Sequence, residues 1–215
     1  MNNFEKRRDR FEFFESFENP LLNLTFKLEV QDFLPFCKTQ NLPPFHFFLY
    51  CLNQALMKNE NFHYRLYQGK VIKIEKIIAS YTVMNEEGLF NYTKFENTSD
   101  RELFIQRSLA ARDETVKSRA LINTGIELSE REMKDYVFIT SIPWLDFTSI
   151  QHPVFKFKSA DIPSVAWGKF TPDGKGKISL PLSIQAHHGF VDGYHIHLLA
   201  ESIKNEISSQ MEGKK

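Results

Sequence analysis

Leu22, Leu24, Phe26 and Leu28 alternate with Asn23, Thr25, Lys27 and Glu29. A period of two over that length predicts a strand at 22–30 with one apolar face. Ahead of it, 7–17 reads as a helix ended by Asn19-Pro20, because proline cannot continue the helical ladder. A short helix is predicted over 32–39. Pro44 suits a first helical position, and Phe45, Phe48, Leu49, Leu52 and Leu56 carry the next helix to 56. Short strands follow, with a hairpin turn at Tyr67-Gln68-Gly69-Lys70. The apolar, β-branched run 77–84 predicts another strand, 100–117 a helix with Ser99 as N-cap, and 137–142 a strand. Strands at 165–170 and 177–186 flank the turn signal Pro172-Asp173-Gly174. In the second of these, Ile178, Leu180, Leu182, Ile184 and Ala186 share one face; Ser179, Pro181, Ser183 and Gln185 share the other. Pro181 lacks a ladder donor, so it requires an edge position or an interrupted ladder. After Gly193 the period turns helical, with Ile196, Leu199, Ile203 and Ile207 in one stripe. This order of elements predicts an α/β fold, a mixed α+β sandwich with a largely antiparallel mixed sheet.

The 215 residues suffice for one full core, so one domain over 1–215, or two tightly merged halves, is expected. The 21 phenylalanines imply either an aromatic core or ring-lined pockets and subunit contacts. A net charge of zero removes any bulk electrostatic case for nucleic acid or an anionic membrane as partner. Lys6-Arg7-Arg8 is diluted by Asp9 and Glu12 and reads as local pairing. The two cysteines, Cys37 and Cys51, sit in apolar surroundings and read as buried free thiols of a reducing compartment. The run 45–52 is too short to span a bilayer, and no secretion signal is visible, so a cytoplasmic protein is expected.

Chemistry concentrates where the last strand meets the last helix, at His187-His188-Gly189-Phe190-Val191-Asp192-Gly193. A strand-to-helix turn presents side chains into a cleft on rigid supports. A neutral histidine there can take a proton from a hydroxyl. Asp192 can hold the turn, pair a cation or orient a ring. Gly193 suggests a positive φ or a close backbone approach. Spacing alone favours structural or exposed histidines over catalytic ones. A metal is not expected: His195 and His197, two apart on a helix, point about 200° from each other, and no cysteine or acidic spacing completes a site.

The run Gln185-Ala186-His187-His188-Gly189-Phe190-Val191-Asp192-Gly193 resembles the chloramphenicol acetyltransferase family, whose hallmark is His-His-x-x-x-Asp-Gly. Four further anchors are similar and fall in the same order: Arg7-Arg8-Asp9-Arg10-Phe11-Glu12-Phe13-Phe14, Pro143-Trp144-Leu145-Asp146-Phe147-Thr148-Ser149, Gly168-Lys169-Phe170 and Leu180-Pro181-Leu182-Ser183. The resemblance implies an O-acetyltransferase moving acetyl from acetyl-CoA to a hydroxyl of chloramphenicol or a similar small molecule, and with it antibiotic resistance. It implies that His188 is the general base, Ser149 the oxyanion donor, and Asp192 a holding residue paired with Arg7. It also implies a homotrimer with active sites at subunit interfaces, where Trp144 serves core or subunit packing. Phe13, Phe14 and Phe90 match rings of the acceptor pocket. Three positions depart from the family pattern: Phe14 replaces a tyrosine, Glu18 an apolar residue and Ala166 a threonine. They bear on the acceptor, not on the base. Two other readings share the motif or the fold: a dihydrolipoyl-acyltransferase-like core, against which the start of the resemblance at Arg7 weighs, and a non-catalytic CoA-binding or assembly protein.

Overall fold

A computed structural model describes residues 4–121, 129–154, 160–172 and 177–213. Its helices are α1 (Arg8–Glu15), which follows a 3-10 turn at Glu5–Arg7, then α2 (Phe33–Thr39), α3 (Pro44–Lys58), α4 (Arg101–Lys117), α5 (Glu130–Met133) and α6 (Gly193–Glu212). Its strands are β1 (Leu21–Glu29), β2 (Tyr64–Tyr67), β3 (Lys70–Lys73), β4 (Ile78–Met84), β5 (Phe90–Glu96), β6 (Tyr136–Ser141), β7 (Ser164–Trp167), β8 (Thr171–Pro172) and β9 (Ile178–His187).

The main sheet runs β1-β9-β7-β6-β4-β5, with β8 also pairing β9. Only β4–β6 and β6–β7 are parallel; the other pairs are antiparallel. The fold is therefore α/β with a largely antiparallel mixed sheet. The hairpin β2–β3 stands apart, and its turn residues Gln68 and Gly69 both have positive φ, 50° and 71°. Two successive left-handed residues match the twist of the flanking strands, which explains the Gln-Gly pair.

Alternation on β9 separates two faces. Leu180, Leu182, Ile184 and Ala186 are buried in the same core as Ile196, Leu199, Ile203 and Ile207, the apolar stripe of α6. Most of the aromatic question is answered here: Phe33 stacks on Phe47 and Phe170, and Phe48 packs on Trp167. On the opposite face a polar network replaces the apolar core. Thr25 donates to Ser183 Oγ (3.0 Å), which donates to Asn23 Oδ1 (3.0 Å). Asn23 also donates to the Ile150 carbonyl at 2.6 Å, tying the segment after β6 against this face.

Several expectations shift. The strand expected over 165–170 breaks at Gly168, where a Cβ would lie 2.4 Å from the Leu145 carbonyl. Pro181 stands in an inner strand, opposite Lys27 of β1 and between the stretches of β9 that pair β7 and β8. The ladder is interrupted where its donor is missing. The α4 cap is Asp100, which accepts from Leu103 N at 2.9 Å, rather than Ser99, whose carbonyl takes the Tyr50 hydroxyl. Helix α1 ends at Glu15, before the expected 17. Within the basic run Arg8 pairs locally with Glu5, whereas Arg7 reaches Asp192 across the fold. Residues 173 and 174 of the expected turn lie outside the described residues. Cys37 and Cys51 are buried free thiols. Among the described residues, no helix is long and apolar enough to cross a membrane.

Candidate active site

Strand β9 ends at His187, and α6 begins at Gly193; the five residues between form the turn that carries His188. An aspartate at the N-cap satisfies amides that the first helical turn leaves unpaired. Asp192 does so, accepting from Tyr194 N at 3.0 Å and His195 N at 3.3 Å, while His195 Nδ1 lies 2.8 Å from its Oδ1 and accepts from the Asp192 backbone N–H at 3.3 Å. Arg7 reaches the same carboxylate, Nη1 to Oδ2 at 2.8 Å. Its Nε and Nη2 donate to the carbonyls of Gly189 (3.3 Å) and His188 (3.4 Å). One guanidinium thus grips three points of the turn. Burial opposes the Asp192 charge, but the Arg7 hydrogen bond and His195 outweigh it and bring the carboxyl down to about 2. The side chains of Arg7 and Asp192 remain 16% and 34% exposed. The pair is half-buried, so its loss costs less than that of a fully enclosed pair.

His188 is half-buried, and its backbone N–H donates to the Pro20 carbonyl at 2.7 Å. Its Nδ1 lies 3.2 Å from the Val191 carbonyl. A carbonyl only accepts, so Nδ1 carries the hydrogen and Nε2 holds the free lone pair. Phe14 stacks on the imidazole with centroids 3.9 Å apart and planes 15° apart. Phe14 therefore touches the histidine itself. Phe13, more than half exposed, packs on Phe14 and Phe17.

The remaining expected residues are not gathered around His188 within one chain. Phe90 lies on the far edge strand β5, four strand spacings from β9, or about 19 Å. Ser149 is exposed, beside Ile150 on the polar face of the sheet. Trp144 is 65% exposed, which removes core packing from its two expected roles. A groove of about 950 Å3 lies beside the turn, lined by Glu15, Pro20, His152 and Asp161 among others, but not by His188, Ser149 or Phe13. Among the described residues, no group of three or more His, Cys, Asp or Glu side chains could hold a metal ion.

Gly193 needs neither a positive φ nor a close approach: the nearest atom to its Cβ position is Leu24 Cδ1 at 3.9 Å. The glycine under constraint is Gly189, where a Cβ would lie 2.8 Å from Phe11 Cα and 3.1 Å from the His187 ring. Nothing in the local sequence marked it, because the crowding comes from α1, 178 residues earlier in the chain. Glu15 was also missed. Its Oε2 lies 2.9 Å from His187 Nε2.

The family model of chloramphenicol acetyltransferase matches residues 1–204. The chain belongs to the chloramphenicol acetyltransferase family. It is an acetyl-CoA-dependent acetyltransferase. The chloramphenicol acetyltransferase of Proteus mirabilis is 23% identical over 204 residues, which cover 92% of this chain and 88% of that protein. That of Staphylococcus intermedius is 24% identical over 212 residues, covering 93% and 92%. A solved chloramphenicol acetyltransferase structure superposes with a TM-score of 0.84 at 24% identity, over 96% of this chain and 98% of that one. A probable dihydrolipoamide acetyltransferase from Listeria monocytogenes superposes at 0.64 with 14% identity, covering 100% and 95%, a likeness of fold alone.

Proposed function

We propose that this acetyltransferase moves acetyl from acetyl-CoA to a hydroxyl of chloramphenicol or a similar hydroxylated small molecule, with His188 as general base. The observation that carries the reading is the 3.2 Å approach of His188 Nδ1 to the Val191 carbonyl: in a neutral ring it draws the hydrogen to Nδ1 and leaves the Nε2 lone pair for a substrate proton. As the acceptor hydroxyl gives its proton to Nε2, its oxygen attacks the thioester carbon. The tetrahedral oxyanion then collapses, the C–S bond breaks, and the CoA sulfur recovers the proton from His188. Ser149 is the oxyanion donor in this reading, and its exposed position leaves it available to a partner site.

Phe90 lies about 19 Å from β9 of its own chain. This favours a site shared between subunits, in the homotrimer that the family resemblance implies, where His188 of one subunit faces Phe90 and Ser149 of its neighbour. The exposed Trp144 then serves subunit packing. The proposed setting is the cytoplasm, and the proposed consequence is antibiotic resistance. One domain over 1–215 is part of the same reading.

The test follows thiol release from acetyl-CoA with chloramphenicol as acceptor. His188→Ala is expected to lower kcat by roughly 10²–10⁴-fold. Ser149→Ala should lower it by about 10²–10³-fold with little change in KM, because its bond strengthens in the transition state. Unchanged turnover in His188→Ala would end the mechanism. Turnover with other hydroxylated acceptors but not with chloramphenicol would keep the chemistry and discard the drug.

A further inference from the structure

The first histidine of the pair has no part in the chemistry proposed above, yet its ring is completely enclosed. Phe11 and Phe190 flank it, with ring centroids 5.6 and 4.9 Å away. A buried polar ring must have both nitrogens satisfied, or folding bears the desolvation cost. Here both are. Nδ1 accepts from Gly189 N–H at 3.1 Å. An amide N–H only donates, so Nδ1 must hold a lone pair. Burial keeps the ring neutral against the pull of Glu15, which leaves the hydrogen on Nε2. Glu15 Oε2 accepts it at 2.9 Å. The His187 carbonyl, in turn, accepts from Phe190 N and Val191 N, both at 3.0 Å. Val191 offers its own carbonyl to His188 Nδ1.

A continuous path therefore runs from Glu15 through the His187 ring to the Gly189 amide, around the turn, and out to His188 Nε2. We propose that Glu15 is a positioning residue for His188, acting through His187 by fixing its Nε2–H tautomer. The alternative tautomer would set an Nδ1–H against the Gly189 N–H, two donors facing each other, and the turn would have to move. Glu15 is well placed for this role because it adjoins Phe14, which stacks on His188. One helix end thus sets both rings. Sequence patterning cannot show this, since Glu15 looks like any charged residue on an exposed helix.

The proposal rests on His188 being the base, and two readouts keep the two ideas separable. The first is the His187 tautomer, read by 15N–1H correlation on 15N-histidine-labelled protein. It is independent of turnover. Wild type should show hydrogen on Nε2 and a lone pair on Nδ1; the opposite tautomer would overturn the proposal. The second is steady-state kinetics per folded chain. Glu15 is about half exposed, so Glu15→Ala opens no cavity. It is expected to lower kcat roughly tenfold, with KM for acetyl-CoA within about twofold. Glu15→Gln, whose side-chain carbonyl still accepts, should recover most of that loss. Wild-type kcat in Glu15→Ala, a loss that only tracks unfolding, or a Gln variant as impaired as the Ala variant would each overturn it. His188→Ala that retains turnover would instead remove the base assignment, while leaving the tautomer result standing.

Discussion

At the scale of single residues, the candidate base is defined by what touches it. His188 is fixed along one edge by the Val191 carbonyl and across one face by Phe14. The family tyrosine expected at position 14 is a phenylalanine here, and the stack shows what the ring itself supplies: a flat surface that restricts imidazole rotation. An aromatic stack of this kind is worth about 0.5–1.5 kcal/mol. Phe14→Ala should therefore lower kcat about two- to tenfold, whereas Phe14→Tyr, which keeps the ring, should stay within about twofold of wild type. Steady-state kinetics on the two variants decides this; equal losses in both would show that stacking is not the contribution. The identity of His188 was legible from the motif. Its tautomer was not, because Val191 becomes its partner only when the turn closes.

At the scale of elements, α1 has no fully buried residue along its eight residues. A helix with no buried face is held by particular contacts rather than by a broad apolar stripe. Those contacts converge on the turn between β9 and α6: Phe14 on His188, Glu15 on His187, and Arg7, just ahead of α1, on Asp192. The close approach of Phe11 to Gly189 makes the docking intolerant of added bulk. Gly189→Ala places a Cβ against backbone that cannot rotate away, and should cost about 1–3 kcal/mol as well as reducing kcat. Gly193→Ala, with open space at its Cβ position, should fold within about 0.5 kcal/mol of wild type. Urea denaturation of both variants measures the contrast. The helix and strand periods were readable because each reflects local geometry of 3.6 or two residues. Which glycine is crowded, and why Pro181 is tolerated in an inner strand, depends on a neighbour brought in from elsewhere in the chain.

For the whole molecule, the buried histidines set an acid limit. Burial pushes His46 down to about 4, and also lowers His63, His152, His187 and His195. The unfolded chain binds protons on these rings near pH 6.5, where the folded chain does not. Stability is therefore full above about 6.5 and is lost as pH falls from there toward about 4, where His46 also protonates in the folded state. The urea midpoint should decline through that window, and His46→Asn, though less stable at pH 7, should decline less steeply. A midpoint independent of pH between 7 and 4.5 would contradict this assignment.

The amino-acid sequence by itself determined the fold class, most of the elements and the hallmark turn. Those follow from local periodicity and from a motif whose residues are consecutive. Only the tertiary structure decided which partners the ring nitrogens of His187 and His188 meet, that Phe14 rests on His188, that Gly189 rather than Gly193 is the crowded glycine, and that Phe90 stands far from its own His188. Each of these depends on atoms that lie far apart along the chain and meet only when α1 docks and the sheet forms. No local pattern encodes such meetings.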